Sequence, residues 1–307
     1  MEVAIFVTNY NHRDYIKDCI KSLQNQSFKN FSVYIIDDSS TDDSIKLIKK
    51  SIKDDKRFQL IVNDNNIGKS KSLNKLLQIV KLNNYRYIGL LDSDDEWKAN
   101  KLELQIKFLN NNPSLDVSYS EGELIYSSNY KKETWGSKSE NFLFSDIHRS
   151  PKHRNEDLLD ELLKGNFIFY SSLLLKTKVF NTIEFNNLIR RSMDWIFLLE
   201  VAKKYKFGYL EQPLANYRLH GDNLQAKVFK THEVILPRIF VLNNYKNLMS
   251  RPTIANHYYA LSRNVLDIKV KQNKIDFFVY YLAGILHYPS IKKIFKLPLN
   301  LFKALLF

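Results

Sequence analysis

Apolar strands and amphipathic helices alternate along the first 100 residues, and this alternation constrains the fold more than any other feature of the chain. Strand-like apolar runs occur at 3–7, 31–37, 58–62 and 87–91, and apolar residues recur at helical spacing at 14–25 and 70–80. Strands that alternate with helices form a largely parallel sheet with helices on both faces. We therefore predict an α/β fold.

The chain divides into a front domain and a basic end. We predict one domain over residues 1–225, with a regular half at 1–100 and a looser half at 101–225. Within the second half, the Ser-, Lys- and Asn-rich stretch at 121–155 is predicted to be a mobile loop. Residues 226–307 carry 13 Lys and Arg against 3 Asp and Glu, which leaves only +3 of the total charge of +13 for the front. This end is predicted to be a helical appendage.

Composition and segment lengths bear on location. Cys19 is the single cysteine, and the first residues, "MEVAIFVTNY", do not have the pattern of a secretory leader. The longest apolar run, at 277–285, is shorter than the roughly 20 residues that a membrane-spanning helix needs. We predict a cytoplasmic protein with no transmembrane segment.

The last residues, "HYPSIKKIFKLPLNLFKALLF", alternate apolar side chains with lysines. Such a segment can lie on an anionic membrane surface, here the inner face of the cytoplasmic membrane. It can equally pack on the front domain with its lysines in solvent, and Pro298 interrupts any long helix. Both interpretations remain open at this point.

Polar side chains follow every predicted strand of the first half. Ligands of open α/β sheets bind beyond the carboxyl ends of the strands, so we expect these side chains to share one edge. Taken singly, each also fits a structural role as a turn residue, a helix cap or a solvated lysine. The residues concerned are Thr8, Tyr10, Asp37, Asp38, Lys69, Asp92, Asp94 and Asp95.

These motifs, in their order and spacing, resemble those of the family-2 glycosyltransferases with the GT-A fold. The stretches that carry the resemblance are "AIFVTNYNHRDYIKDCIKSLQNQSFKNFSVYIIDDSSTDDS", "NDNNIGKSKSLN", "YIGLLDSDDEW", "LLKGNFIFYSSLLLK", "RSMDWIFLLEVAKKYKFG" and "ANYRLHGDN". The resemblance covers residues 3 to roughly 225, and it implies a nucleotide-binding half at 1–100 and an acceptor-binding half at 101–225. It implies a mainly parallel, Rossmann-like sheet flanked by helices, of the kind that binds nucleotide-diphospho-sugars.

The resemblance implies a metal site at the acidic motif. Asp92 and Asp94 match the family's Asp-x-Asp position, with Asp94 as the more direct ligand of Mn²⁺ or Mg²⁺ and Asp92 near the ribose or the metal. His220 matches the place of a histidine near the diphosphate and the metal. Asp95 is either a partner of these acids or the cap of a helix that starts near Lys98. Oxygen ligands suit both ions.

The resemblance also implies a nucleotide site. Thr8, Tyr10 and Asp38 are expected to hold the nucleotide, with Asp37 as a second candidate for the same task. Lys69 is expected to neutralise a phosphate or to contact the base. Asp92, at the end of its strand, belongs to both the nucleotide site and the metal site.

Asp194 matches the position of the family's general base. Many relatives have a second acid before it, whereas this chain has Met193. Asp194 could also simply cap the helix predicted at 194–205. Trp97 and Trp195 fit either a sugar site or the core.

The function implied is that of an inverting, metal-dependent glycosyltransferase. It would move a sugar from a nucleotide-sugar donor, with UDP-sugars favoured, to a saccharide or lipid-linked saccharide in the synthesis of a cell-surface polysaccharide or glycolipid, such as capsule or lipopolysaccharide. A catalytically silent member of the family, acting as a membrane-associated binding or assembly protein, remains an alternative. A dehydrogenase or a pyrophosphorylase would need a glycine-rich phosphate loop that "TNYNHRDY" lacks, and nucleic-acid binding is disfavoured because the excess charge lies in the tail.

Overall fold

The computed structural model describes residues 2–83, 85–127, 144, 158–221, 235–267 and 273–289. Eight strands in this part of the chain form one sheet. They are β1 (Val3–Asn9), β2 (Phe31–Asp37), β3 (Phe58–Val62), β4 (Tyr87–Asp92), β5 (Glu96–Trp97), β6 (Val117–Tyr126), β7 (Leu174–Lys176) and β8 (Phe207–Leu219). Their order in the sheet is β3-β2-β1-β4-β7-β6-β8-β5.

The first half of the sheet is parallel, as predicted. β1 pairs in parallel with both β2 and β4, and β2 pairs in parallel with β3. The register places Thr8 beside Asp92 and Asn9 beside Asp37. The carboxyl ends of these strands therefore form one polar edge. The second half adds antiparallel pairings of β7 with β4 and with β6, and of β5 with β8.

Helices cover both faces of the sheet, which confirms the predicted α/β architecture. The helices are α1 (Ile16–Gln24), α2 (Ser44–Ile52), α3 (Lys69–Asn83), α4 (Lys101–Asn111), α5 (Leu158–Lys164), α6 (Met193–Ala202), α7 (Leu236–Tyr245), α8 (Arg251–Asp267) and α9 (Asn273–His287). Alternate side chains of β1 enter two different core clusters, with Ala4 and Phe6 in one and Ile5 and Val7 in the other. Strands buried on both faces read as continuous apolar runs for this reason.

The C-terminal region is helical, as expected. Val241 and Tyr245 of α7 belong to the same core cluster as Leu199 of α6. α8 and α9 pack closely at Gly284. A Cβ added at this glycine of α9 would lie 2.7 Å from the Tyr259 ring of α8. Within the described residues, no helix has both the length and the apolar character needed to cross a bilayer. The basic segment at 290–307 lies outside them.

Two predicted boundaries are wrong. Residues 121–126 were expected to begin a loop, but they belong to β6 and pair with β8 after a β-bulge between Ser120 and Gly122. The rest of that predicted loop, apart from residues 127 and 144, lies outside the described residues. The helix expected near Lys98 begins at Lys101, since Glu96 and Trp97 form β5 against β8.

The indole of Trp97 packs on β4 in the interior. A Cβ added at Gly89 would lie only 2.6 Å from Trp97 Cη2, so a side chain at this position has no room. Trp97 Nε1 donates to the Ser171 carbonyl at 2.7 Å, and Trp195 Nε1 donates to the Leu162 carbonyl at 2.6 Å. Both tryptophans are buried. Of their two interpretations, the structure supports the core role.

Candidate active site

Three carboxylates stand together where β4 ends. One oxygen each of Asp92, Asp94 and Asp95 lies within 4.8 Å of the others. Asp95 is buried and accepts hydrogen bonds from Ser171 Oγ at 2.6 Å and from the Arg218 backbone N–H at 3.0 Å. Burial and the negative charges of Asp94 and Asp92 raise the pKa of Asp95 well above its usual value. Asp95 therefore holds the acidic turn in place and does not cap α4.

Two histidines face Asp94 from other elements. His12, Asp94 and His220 each offer a ligand atom, and these three atoms lie within 4.8 Å of one another. His220 Nε2 is 3.1 Å from Asp94 Oδ2. Burial favours a higher pKa for Asp94, but the charges of His12 and His220 and the hydrogen bond to His220 outweigh it and lower that pKa to about 2.

His12 was missed by the sequence reasoning. A signal was available, because His12 follows β1 by three positions and so lies at the same polar edge as the predicted residues. Its Nδ1 lies 2.8 Å from Ser93 Oγ, which fixes the ring beside the acidic turn. Carboxylate oxygens and imidazole nitrogens are both common ligands of divalent transition metals. The donor set present here thus fits a divalent metal ion.

Lys69 and Thr8 meet Asp92 on the other side of the acidic turn. Lys69 Nζ is 2.5 Å from Asp92 Oδ1, and Thr8 Oγ1 donates to the same oxygen at 3.3 Å. Lys69 Nζ also lies 3.9 Å from the centre of the Tyr170 ring. Tyr10, just beyond β1, keeps 45% of its surface exposed. The structure therefore brings these predicted residues to one edge, with an aromatic ring available to a ligand.

Asp37 and Asp38 hold the loops around this edge. Asp37 is fully buried and accepts from Asn9 Nδ2 at 2.6 Å and from Ser40 Oγ at 2.8 Å. Asp38 accepts from the backbone N–H groups of Ile67 at 3.0 Å and Gly68 at 2.8 Å. Gly68 has φ of 89°, a left-handed conformation that glycine adopts without strain. Both carboxylates thus shape the loops that enclose the predicted nucleotide site.

Asp194 lies in the first turn of α6, after Ser192 at the N-cap position. It is therefore not the cap residue. Asn166 Nδ2 donates to Asp194 Oδ2 at 2.8 Å. Burial raises the pKa of Asp194, the charge of Lys69 opposes this shift, and the charge of Asp92 adds to it. Asp194 therefore shares an electrostatic environment with the predicted nucleotide and metal residues.

Tyr170 is influenced by the charges of both Asp92 and Asp194. Burial raises the pKa of its hydroxyl, and the charges of both Asp92 and Asp194 raise it further. Asn166 and Tyr170, which the sequence reasoning did not select, lie in the segment "KGNFIFYSS". The signal available was the resemblance of this stretch to the family, although no single residue of it was selected.

Arg218 of β8 ties the acidic turn to the second half of the sheet. Its Nε donates to the Asp94 carbonyl at 3.0 Å, and its guanidinium pairs with Glu96. These contacts of Arg218 position His220, two residues later in the chain, beside Asp94. The metal-ligand candidates from β1, β4 and β8 are therefore fixed by backbone contacts as well as by side chains.

Comparison with known proteins identifies the family. The model of a family described as "Glycosyl transferase family 2" matches residues 4–195, which is more than half of the chain. The chain belongs to glycosyl transferase family 2. It is a glycosyltransferase, and both the motif resemblance and the fold prediction are confirmed.

Relatives of this family-2 glycosyltransferase span most of its length. It is 31% identical over 261 residues, 85% of this chain and 93% of the other, to the Escherichia coli UDP-Glc:alpha-D-GlcNAc-diphosphoundecaprenol beta-1,3-glucosyltransferase WfaP. It is 28% identical to an uncharacterized glycosyltransferase of Methanocaldococcus jannaschii, MJ1057, over 74% of each chain. The crystal structure of S. aureus TarS 1-349 in complex with UDP has the same fold, with a TM-score of 0.57, 17% identity, and coverage of 96% of this chain and 91% of that chain.

Proposed function

We propose that this protein is an inverting, metal-dependent glycosyltransferase that moves a sugar from a UDP-sugar to a saccharide or lipid-linked saccharide. The observation that carries the proposal is the placement of Asp194. Burial raises the pKa of Asp194, as a general base requires, and the charges of Lys69 and Asp92 both act on its carboxylate. The Tyr170 ring contacts Lys69, and its hydroxyl is subject to the charges of Asp92 and Asp194. One carboxylate opposite the leaving group supports a single displacement and hence inversion at the sugar carbon.

The donor is assigned to the edge formed by β1, β2 and β4. The exposed ring of Tyr10 can stack on the base, and Thr8 and Asp92 can contact the ribose. Lys69 supplies a positive charge for the diphosphate. Asp38 shapes the loop that leads to Lys69 and is proposed to contact the base. Asp37 is fully buried, so its proposed part is to support that loop.

The metal is assigned to Asp94, Asp92 and His220, with His12 as an added ligand. When bound there, Mn²⁺ or Mg²⁺ would neutralise the negative charge that develops on the departing diphosphate. Two hydrogen bonds hold the acidic turn: the Arg218 backbone N–H donates to the Asp95 carboxylate, and Arg218 Nε donates to the Asp94 carbonyl. The imidazoles favour Mn²⁺ over Mg²⁺, since magnesium prefers oxygen ligands.

Asp194 takes the proton of the acceptor hydroxyl. As this proton moves to a carboxylate oxygen, the hydroxyl oxygen forms a bond to the anomeric carbon, and the bond from that carbon to the diphosphate oxygen breaks. The products are the new glycoside, UDP and protonated Asp194. Asn166 orients the carboxylate through its hydrogen bond to Oδ2.

The acceptor class is proposed from a relative. The name of WfaP describes the transfer of glucose from UDP-Glc to GlcNAc on diphosphoundecaprenol. We assign the present enzyme to the synthesis of a surface polysaccharide or glycolipid, such as capsule or lipopolysaccharide. Its basic end, residues 226–307, is proposed to hold it at the inner face of the membrane.

Thermal unfolding with UDP, GDP, CMP and dTDP, each with and without Mn²⁺, tests the donor and metal assignments. A ligand at about 100 times its dissociation constant stabilises the native state by roughly 2.7 kcal/mol. Stabilisation by UDP that requires Mn²⁺ is expected. If no nucleotide stabilises the protein at millimolar concentration, the protein is better explained as a catalytically silent member of the family.

A further inference from the structure

One side of α9, here called the α9 face, presents apolar side chains to solvent. Val279, Leu282 and Leu286 are 56%, 48% and 84% exposed, and their spacing of three and four residues places them on one side of the helix. The opposite side packs on α8, where the Tyr281 ring centre lies 5.4 Å from that of Tyr259. Within the described residues, no other helix or strand exposes more than one large apolar side chain.

Basic side chains lie around the C-terminal end of the α9 face. Lys246 Nζ is 5.8 Å from the centre of the Tyr258 ring, and this ring stacks on His287 with 5.4 Å between the ring centres. Burial lowers the pKa of His287, and the charges of Lys246 and Arg251 lower it further. His287 directly follows Leu286, so these two cations lie near the most exposed leucine of the face.

The charges and the apolar groups at this end match an anionic lipid surface. Neither Lys246 nor Arg251 forms an ion pair with a carboxylate of the described residues, and Leu248, between them in the chain, is exposed. Asp276 lies in the first turn of α9, at the other end of the helix. Cations bind anionic headgroups while an apolar helix face enters the boundary of the acyl chains. A symmetric contact with a second copy would instead bring like charges together.

The sequence after α9 has the same character. Residues 290–307 contain four lysines and no Asp or Glu, and most of the other residues are apolar. α9 ends at His287, so this segment follows the end of the helix that has the basic side chains. The α9 face therefore belongs to a longer stretch of chain suited to an anionic membrane.

The helix that carries the α9 face is connected to the proposed catalytic helix. α9 packs on α8, and His257 of α8 donates from Nε2 to the Leu163 carbonyl at 2.7 Å. The His257 ring also stacks on Trp195, the residue after Asp194. Docking of α9 on a bilayer would therefore set the orientation of α6 relative to a lipid-linked acceptor.

We propose that the α9 face, with Lys246 and Arg251 beside it, docks on an anionic phospholipid surface, and that Leu282 and Leu286 enter the boundary of the acyl chains. The inference rests on the proposed function, which places the basic end of the chain at the membrane. It adds the surface that makes the contact and an apolar contribution that salt does not screen.

The test is co-sedimentation of the full-length protein with vesicles of phosphatidylcholine and phosphatidylglycerol, at low and at high salt. Vesicles of phosphatidylcholine alone are the uncharged comparison. The apolar variant is Leu282→Gln with Leu286→Gln. The charge variant is Lys246→Gln with Arg251→Gln.

Each variant has a matched control outside α9. Leu188→Gln with Leu236→Gln is the control for the apolar variant, because these leucines are 82% and 45% exposed. Arg190→Gln with Lys204→Gln is the control for the charge variant, because both side chains are exposed. The controls remove the same groups from other parts of the surface.

The natural protein is expected to bind the anionic vesicles more tightly than the uncharged ones. The apolar variant should bind about tenfold or more weakly at both salt concentrations, since two leucines no longer enter the bilayer. The charge variant should lose about as much at low salt and little at high salt, where the attraction is screened. Both controls should bind as the natural protein does. Equal binding by the apolar variant and its control overturns the proposal, as does a natural protein that binds no vesicles or prefers neither kind.

Light scattering without vesicles tests the competing occupant of the α9 face, a second copy of the chain. The natural protein and the apolar variant are expected to have the same mass in solution. A natural dimer that becomes a monomer in the apolar variant would overturn the membrane assignment and make the α9 face a subunit contact.

Thermal unfolding of the same samples with UDP and Mn²⁺ separates this inference from the proposed function. Equal stabilisation of the natural protein and every variant shows that the variants are folded and that the donor site is intact. If UDP stabilises none of them, the proposed function fails on its own. The vesicle measurement needs no nucleotide and still decides the α9 face.

Discussion

Asn166 donates its side-chain amide to Asp194 Oδ2 at 2.8 Å, so this hydrogen bond holds the carboxylate of the proposed base in position. Asp194→Asn removes the proton acceptor but keeps the shape. We expect the rate of sugar transfer to fall by about 10²–10⁴-fold, the usual contribution of general base catalysis, with UDP affinity unchanged. The measurement is the rate of UDP release at saturating donor and acceptor. Unaltered turnover would remove Asp194 from the mechanism.

Asn166→Ala tests orientation separately from proton transfer. The variant keeps the carboxylate but releases it, so turnover should fall less than in Asp194→Asn. If Asn166→Ala lowers turnover as much as Asp194→Asn does, the hydrogen bond supports the fold of the segment, and a lower midpoint of urea unfolding would then accompany the loss.

The pH dependence of turnover reports the state of Asp194. A base works when it is deprotonated, so the rate should rise with pH through the pKa of Asp194 and then level off. Burial raises that pKa, which places the rise above the range of an ordinary carboxyl group, and the charge of Lys69 holds it back. Lys69→Met should therefore move the rise to higher pH. A rise that stays in place, or moves to lower pH, would show that Lys69 does not act on the base.

The metal assignment can be tested without turnover. Asp94→Asn, His220→Gln and His12→Gln should each weaken Mn²⁺ affinity by about tenfold or more, measured by isothermal calorimetry in the presence of UDP. Asp14→Asn, an exposed acid after β1, is the control. The natural protein should bind Mn²⁺ more tightly than Mg²⁺, and this preference should shrink in His12→Gln. A His12→Gln variant with full Mn²⁺ affinity would leave His12 as a support for Ser93 only.

Asp38 should matter for stability as well as for binding. Asp38→Ala leaves the backbone N–H groups of Ile67 and Gly68 without their acceptor; the cost is roughly 1–3 kcal/mol for a fully buried donor and less for these half-buried groups. Urea unfolding should show this loss, whereas Asp64→Ala, an exposed acid of the same loop, should not. If both variants unfold at the same urea concentration as the natural protein, water replaces the carboxylate at these groups.

Lys101 provides a test in the core. It is fully buried, its Nζ donates to Gln105 Oε1 at 2.5 Å, and burial lowers its pKa well below the usual value. The unfolded chain therefore binds a proton more readily than the native protein, so stability should rise with pH between the two pKa values. Lys101→Met should stabilise the protein by roughly 1 kcal/mol or more at neutral pH and abolish this rise.

Lys107→Met, at an exposed position of the same helix, is the control for that measurement. Its midpoint of urea unfolding and its pH dependence should match those of the natural protein. A Lys101→Met variant that is less stable than the natural protein at every pH would mean that the contacts of Nζ with Gln105 and the Trp97 ring outweigh the cost of burying the amine.

Much of the structure of the first 100 residues could be predicted from local patterns. The strands of this half are buried on both faces and read as apolar runs, and their polar ends share an edge because the sheet is parallel. The contacts of Asn166 and His12 could not be predicted, since they depend on how distant segments meet. β6 was underestimated because a bulge near Glu121 breaks the alternation of side chains that marks a strand.

The close approach of Gly89 to Trp97 fixes more than local packing. Since the indole fills the space beside Gly89, sliding β4 by two residues along β1 would press Tyr87 or Leu91 into the same ring. The position of Asp92 at the end of β4 is thus set by a packing contact in the interior of the protein. Loops around the site can change to suit new substrates while the contact between Gly89 and Trp97 keeps the acidic residues at the end of β4 in the same place.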